Sequence, residues 1–308
     1  MKIDNRALEQ YVATAPNAQN AVNIFSGAWS SRLPAPYEQV TAGEAPLFED
    51  VRMVWAAEQL GGFAHKTVLE LGPLEGAHTY MLEKAGAKEI VAIEANTSAY
   101  LRCLIVKELF HLQAARFLCG DFAAYLRQGP PRFDLCIASG VLYHMRHPLE
   151  LIGLLARVTD RLFLWTHYYD QALIAQNPAW AARFNGYGTA QYGDFACTVY
   201  RHHYHAALSW RGFRGGSAQY SHWMTRADIL SCLQHFGFDK LTIGFEAPEH
   251  PHGPSFAVAA VRTRAELRPR HVDAVEPPEP VMTAMPTFHT RKAALHAMLA
   301  RLWTQVRR

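Results

Sequence analysis

The sequence predicts an α/β protein, a largely parallel sheet covered by helices on both faces and finished by an antiparallel terminal strand. Three observations carry this. Short apolar runs at 67–71, 89–94, 116–119, 133–138 and 160–166 alternate with helical periodicity at 77–86, 97–111 and 148–158, and such alternation specifies parallel strands joined by crossover helices. The first run ends in a glycine-bounded turn, Gly72-Pro73-Leu74-Glu75-Gly76, and the second ends in an acid, Glu94. Two later apolar runs, Leu241–Phe245 and Ser255–Val261, flank the turn-rich stretch 246–254 and predict a hairpin. Right-handed crossovers bring the ligand-binding loops to the carboxyl edge of the parallel strands.

The turn at Gly72–Gly76 is the most informative stretch. Its glycines let the backbone reverse and approach a ligand before a helix starts near Ala77. In a βαβ unit, a carboxylate some 20 residues beyond the first glycine can receive two ribose hydroxyls, and Glu94 stands there. Leu74 occupies the place of the second glycine in the dinucleotide pattern, the one that admits a pyrophosphate. The pattern therefore favours a nucleoside without phosphates over NAD or FAD. No Gly-x-x-x-x-Gly-Lys-Ser/Thr loop is present, which argues against a nucleotide triphosphatase.

Bulk properties bound the reading. A chain of 308 residues, half of them hydrophobic and 19% charged, holds one large α/β domain with appendages. The formal charge of +3 does not mark a dedicated nucleic-acid binder. Five cysteines lie scattered in apolar runs without a CxxC pair, the usage expected of reduced thiols in a cytoplasmic protein. Met1-Lys-Ile-Asp-Asn-Arg has no apolar leader core, and no run approaches the ~18 residues of a membrane helix.

The segments around the α/β core divide as follows. Residues 1–64 read as an arm, with a helix over Arg6–Ala13, a turn-rich stretch bearing Phe25 and Trp29, and a helix within 46–60. Phe25 and Trp29 either plug a groove or belong to a lid. Residues 167–222 are too long for a passive connection and are crowded with aromatics and histidines. They form either a cap that shapes a substrate pocket, or a subdomain with its own aromatic core or a dimer contact. The run His202-His203-Tyr204-His205 has no acidic or cysteine partner at ligand spacing, so no metal is expected. Residues 263–308 read as a linker rich in Pro, Glu, Arg and Thr, then an amphipathic helix with Leu295, Met298, Leu299, Leu302, Trp303 and Val306 on one face. Such a helix docks on its own domain or a partner subunit, with membrane or tRNA contact as the alternative.

Glu70-Leu-Gly72-Pro-Leu-Glu-Gly76, Glu94, Gly120-Asp121-Phe122 and Phe133-Asp-Leu-Cys-Ile-Ala-Ser139-Gly-Val-Leu-Tyr143-His144 resemble the successive motifs of class I S-adenosylmethionine-dependent methyltransferases, in order and at the family's spacing over roughly 65–262. The resemblance implies a Rossmann-like seven-stranded sheet with an antiparallel terminal strand, and S-adenosylmethionine as cofactor. It implies that Glu70, Gly72, Leu74 and Gly76 adjoin the methionine part of the donor and that Glu94 takes the ribose. Asp121 and Phe122 would take the adenine, and Ser139 and Tyr143 would face the sulfonium and the acceptor. Trp29 would belong to a lid over the donor. Asp121 as a helix cap and Tyr143 as a core residue remain open. Methyl transfer is an in-line displacement, so the protein's work is alignment and exclusion of water. A general base helps an alcohol, phenol or amine acceptor, and His144 and His167, just beyond strands four and five, are the candidates.

Gly140-Val-Leu-Tyr143-His144-Met-Arg146-His-Pro148 is similar to a segment of the bacterial tRNA wobble-uridine carboxymethyltransferases, which use a carboxylated donor. Met145 replaces that segment's first arginine, and residues 3–65 contain no lysine. The leading expectation is methyl transfer to a small molecule. The alternatives are a tRNA-modifying enzyme using Arg262, Arg264, Arg268 and Arg270, and a non-catalytic protein that binds S-adenosylmethionine.

Overall fold

The structure of the chain is a computed structural model that describes residues 11–209, 215–216, 218–268 and 275–285. The amphipathic segment 291–308, Arg270, Trp210 and Phe213 lie outside the described residues, as do residues 6–10 of the first expected helix; Tyr11–Ala13 are not helical. The elements run α1 (Ala18–Asn23), α2 (Val51–Leu60), β1 (Thr67–Leu71), α3 (Ala77–Lys84), β2 (Glu89–Glu94), α4 (Thr97–Leu109), β3 (Ala115–Cys119), α5 (Phe122–Arg127), β4 (Leu135–Ser139), α6 (Pro148–Val158) and β5 (Arg161–His167). There follow α7 (Gln171–Gln176), α8 (Pro178–Ala181), β6 (Phe184–Tyr192), β7 (Phe195–His203), β8 (Tyr220–Met224), α9 (Arg226–His235), β9 (Lys240–Ala247), β10 (Ser255–Val261) and β11 (Met282–Ala284).

Seven strands form one sheet in the order β3-β2-β1-β4-β5-β10-β9. β1 to β5 are parallel, and β10 enters antiparallel between β5 and β9. The period-2 alternation sorts the side chains onto two cores. Val68, Ile90, Ala92, Leu135 and Ile137 face α2, α3 and α4, whereas Leu69, Leu71, Val91, Ile93, Cys136 and Ala138 face α6 and α9. The expected Rossmann-like sheet with its antiparallel terminal strand is the sheet observed.

The 167–222 insertion builds a second sheet, β11-β6-β7-β8, antiparallel throughout. It packs on α6, whose sequence Pro-Leu-Glu-Leu-Ile-Gly-Leu-Leu-Ala-Arg-Val is apolar nearly all round because the main sheet covers one side and the insertion the other. A Cβ at Gly153 of α6 would stand 2.4 Å from the Tyr192 ring, so only glycine allows β6 this close. Part of the stretch expected to be a linker is structured. Residues 282–284 extend the second sheet as β11, pairing Met282 with Gly188 and Ala284 with Gly186.

Arg262, counted above among basic residues for tRNA, is 5% exposed. Its guanidinium donates to the carbonyls of Ala156 (3.0 Å), Phe236 (2.9 Å), Thr159 (3.2 Å) and Gly237 (3.3 Å) and pairs with Asp160 at 2.5 Å. It thereby satisfies the open carbonyl ends of α6 and α9. Arg268 pairs with Asp160 and Arg264 with Asp239. These three arginines neutralise the fold's own acids. No helix among the described residues is long and apolar enough to cross a membrane.

Candidate functional site: a carboxylate-lined turn beside an aromatic and histidine cluster

The turn between β1 and α3 takes left-handed backbone at Gly72 (φ 63°), Leu74 (φ 58°) and Gly76 (φ 78°). A Cβ at Gly72 would press to 2.8 Å from Val141 Cγ1. Leu74 therefore replaces a glycine in sequence but keeps its conformation, held there because its N–H donates to Glu94 Oε2 at 3.1 Å. The remaining N–H groups of the turn are also used: Gly72 donates to Ile93 O, and Glu75 and Gly76 both donate to Pro73 O. A pyrophosphate needs such donors free, and this turn offers none from Gly72 to Gly76.

Its surroundings are acidic. Glu70 is 2% exposed and its carboxylate accepts from Thr79 Oγ1 at 2.5 Å; burial pushes its pKa up. Glu94 also accepts from Asn96 N at 2.8 Å, and burial outweighs these hydrogen bonds to raise its carboxyl as well. The Glu94 oxygens keep lone pairs beyond their backbone donors, so the carboxylate can still receive ribose hydroxyls. Buried carboxylates beside a turn without free donors fit a cationic nucleoside such as S-adenosylmethionine and repel a phosphate.

Sequence reasoning passed over Glu75, which is fully buried. Its carboxylate accepts from Ser30 N (2.8 Å) and Ser31 N (2.9 Å) and faces Arg102 Nε at 3.4 Å. This ties the N-terminal arm to the turn. Trp29 is 8% exposed, donates from Nε1 to Val22 O at 2.8 Å, and carries the Arg102 guanidinium 5.9 Å from its ring. It thus packs the arm onto α4, next to the turn but with its one polar atom committed to the arm itself. Asp121 caps α5, accepting from Ala124 N at 3.0 Å, and is exposed; Phe122 is half-buried against the core of α6.

Tyr143, His144 and His167 are brought together at the carboxyl ends of β4 and β5. The Tyr143 ring lies 4.1 Å from His144 and 4.6 Å from His167, with Trp165 at 6.1 Å. Ser139 ends β4 opposite Trp165 of β5 in register. The second sheet adds Trp223, stacked on His167 at 5.4 Å and 7°, and His202, stacked on Trp223 at 4.7 Å and 16°. Arg52, from α2, covers Trp165 at 4.6 Å. Arg52 and His78 both bond Asp50, and although burial opposes it, these partners hold that carboxyl far below its usual range.

Burial lowers the imidazoles: His144 to about 3, His202 to about 3 and His167 to about 4. The same burial raises Tyr143 well above an ordinary phenol. At neutral pH these imidazoles and the Tyr143 phenol are uncharged, and the Arg52 guanidinium over Trp165 is a charge beside them. The near-neutral base expected from sequence is not what burial produces. His167 nevertheless has a defined tautomer. Its Nδ1 lies 2.8 Å from Gly253 O and 3.3 Å from Pro254 O; carbonyls only accept, so Nδ1 carries the proton and Nε2 keeps a lone pair. Trp165 could have been found from sequence, being two residues from His167 on one strand and hence on the same face. Trp223 and His202 are brought here by the pairing of β7 with β8. His202 and His203 point to opposite faces of β7, and no group of three His, Cys, Asp or Glu among the described residues is placed to hold a metal.

No known protein family and no curated protein matches this sequence. Solved structures do. The N-terminal domain of EvdMO1 in the presence of SAH and D-fucose is 20% identical with a TM-score of 0.61, covering 85% of this chain and 98% of that one. The same domain with SAH bound is 20% identical with a TM-score of 0.60, covering 80% and 95%. Against EvdMO1 itself the TM-score is 0.54 at 20% identity, over 79% of this chain and 46% of that one, so the chain spans about half its length. The likeness establishes a shared fold.

Proposed function

We propose that this chain is an S-adenosylmethionine-dependent methyltransferase acting on a small-molecule acceptor. The observation that carries the reading is the Gly72–Gly76 turn, with its backbone donors used internally and Glu70 and Glu94 buried beside it. That environment suits a phosphate-free nucleoside bearing positive charge. The similar EvdMO1 domain was crystallised with SAH and with D-fucose, which supports both the donor and a sugar-sized acceptor. Against the tRNA alternative, Arg262 is buried in the fold and Arg264 and Arg268 are each paired with an aspartate.

The donor supplies a methyl carbon on a sulfonium: the acceptor–methyl bond forms as the carbon–sulfur bond breaks, the electron pair staying on sulfur and the acceptor proton leaving to a base. The residues of the chain do the rest. Glu94 holds the ribose, and Leu74 N and Asn96 N hold Glu94. Tyr143, Trp165 and Trp223 exclude water and present ring faces, which favour a cation by about 1–2 kcal/mol when desolvated. His167 accepts the proton at Nε2 while Gly253 O keeps Nδ1 protonated and the ring in place. Its depressed basicity makes this a brief stay, the proton passing on to solvent.

The test is isothermal calorimetry with S-adenosylhomocysteine and NAD on the full chain. Wild-type protein is expected to bind the first and not the second, and Glu94→Ala to lose at least about 100-fold in affinity for it with its circular dichroism unchanged. Equal affinity in wild type and variant removes Glu94 from the ribose, and binding of NAD alone overturns the assignment.

A further inference from the structure

We infer that Arg52 receives the α-carboxylate of the donor's methionine end, through the edge of its guanidinium that the protein leaves open. The inference rests on the transferase reading above and assigns a part of the donor that the turn and Glu94 do not hold.

Arg52 stands in the first turn of α2, and two side chains fix its head. Asp50 takes the edge formed by Nε and Nη2, at 2.9 and 3.0 Å from Nε and 2.5 Å from Nη2. The Trp165 ring packs against it, 4.6 Å from Cζ. A guanidinium has five N–H donors in a fixed fork. Nε–H and one Nη2–H go to Asp50, and the other three meet no acceptor among the described residues. Nη1 and Nη2 therefore each keep a free N–H along the second edge, a spacing that matches the two oxygens of a carboxylate. The Arg52 side chain keeps 20% of its surface open, whereas that of Asp50 keeps 6%. A nearly buried acid and an aromatic ring hold the cation still and leave its far edge accessible.

The sheet topology says what that edge faces. In the order β3-β2-β1-β4-β5 the chain reverses direction across the sheet between β1 and β4, and a ligand crevice opens outside the carboxyl ends of those strands. Arg52 is tied to both sides of it. On the β1 side, Asp50 also meets His78 Nε2 at 2.8 Å, and His78 lies in the first turn of α3, two residues beyond Gly76. On the other side, Trp165 of β5 pairs in register with Ser139, the last residue of β4. The charge of Arg52 is also felt at Tyr143 and His250, although burial dominates at both.

The amino-acid end of S-adenosylmethionine carries an ammonium and a carboxylate on one carbon, so its site needs an acid and a cation close together. Glu70, 2% exposed beneath the turn, is the acid. Arg102, another guanidinium beside the turn, is buried against Glu75. Arg52 has the open donors.

The test is calorimetry on the full chain with S-adenosylhomocysteine and with S-adenosyl-3-thiopropylamine, the same thioether nucleoside without its carboxylate. Wild-type protein is expected to bind the first about 30-fold more tightly. Arg52→Gln should lose about 30-fold for S-adenosylhomocysteine and stay within about twofold for the decarboxylated ligand. Equal wild-type affinity for the two ligands overturns the inference. So does an equal loss for both in Arg52→Gln, which would make Arg52 a prop for Asp50 and Trp165. Unchanged binding of S-adenosylhomocysteine in Arg52→Gln overturns it as well and leaves the guanidinium to an anionic group on the acceptor. Should that variant not fold, Arg52→Lys, which keeps the charge without the fork, takes its place. A loss confined to S-adenosylhomocysteine then supports the inference, and an equal loss or none overturns it. Wild-type protein that binds neither ligand overturns the transferase reading and this inference with it.

Discussion

At the scale of single residues, burial keeps the imidazoles beside Tyr143 and Trp223 uncharged. His144, His167 and His202 all titrate far below a free imidazole because desolvation penalises their cationic form. The unfolded chain therefore takes up protons below about pH 6.5 that the folded chain refuses, and stability falls with pH in that window. Each such histidine contributes a slope of about 1.4 kcal/mol per pH unit, down to about 4 for His167. Glu70 and Glu94 work in the opposite sense, since burial raises them and their protonation on acidification relieves a penalty. Because the raised acids oppose it, the histidine contribution is best read by difference. His202→Gln should flatten the acid limb of the denaturant-derived stability between pH 5 and 6.5 by about 1.4 kcal/mol per pH unit. An unchanged slope would mean that His202 is charged in the folded protein.

At the scale of elements, the β1–α3 turn does two jobs with one sequence. Gly72, Leu74 and Gly76 shape a cradle on one side, while Glu75 points to the other and receives the backbone of Ser30 and Ser31 together with Arg102 of α4. Removing that carboxylate takes an acceptor from the part-buried Ser30 N–H, the buried Ser31 N–H and the buried Arg102 guanidinium. Glu75→Ala should cost about 3–5 kcal/mol, seen as a lower denaturation midpoint. It should also open residues 23–45 to proteolysis before the rest of the domain, because their chief tie to the turn is gone. Simultaneous cleavage throughout the chain would mean that the arm is held by its apolar contacts, Val22, Trp29 and Leu33 among them, rather than by Glu75.

At the scale of the whole molecule, two sheets share α6, and Arg262 fastens the ends of α6 and α9 to the last strand of the main sheet. It replaces four separate caps with one side chain, so its loss exposes four carbonyl groups at once. Arg262→Ala should lower stability by about 3 kcal/mol or more, whereas Arg264→Ala, whose Asp239 partner is at the surface, should change it by less than about 1 kcal/mol. Equal effects at the two positions would deny Arg262 that role. The 275–285 segment closes the other side: β11 pairs with β6, Tyr220 Oη donates to Glu279 at 3.1 Å, and His147 Nε2 lies 3.3 Å from Glu276.

The sequence by itself determined the seven-stranded sheet, because its strands and helices declare themselves through local periodicity, and it determined the cradle, because a glycine-bounded turn followed by Glu94 at the next strand end is a local signal too. It also reached Tyr143 and His144, shortly beyond the end of β4, and His167, the last residue of β5. Tertiary structure alone decided the rest. The glycine-rich β6 and the histidine-bearing β7 lack a clean alternation of apolar and polar residues, so the second sheet is stabilised by what it packs against, α6, rather than by any pattern of its own. Glu75 meets Arg102, Trp223 meets His167 and Arg262 meets Ala156 across 27, 56 and 106 residues of chain. Burial, which sets every proton in the site, is a property of those partners and not of the residues that carry it.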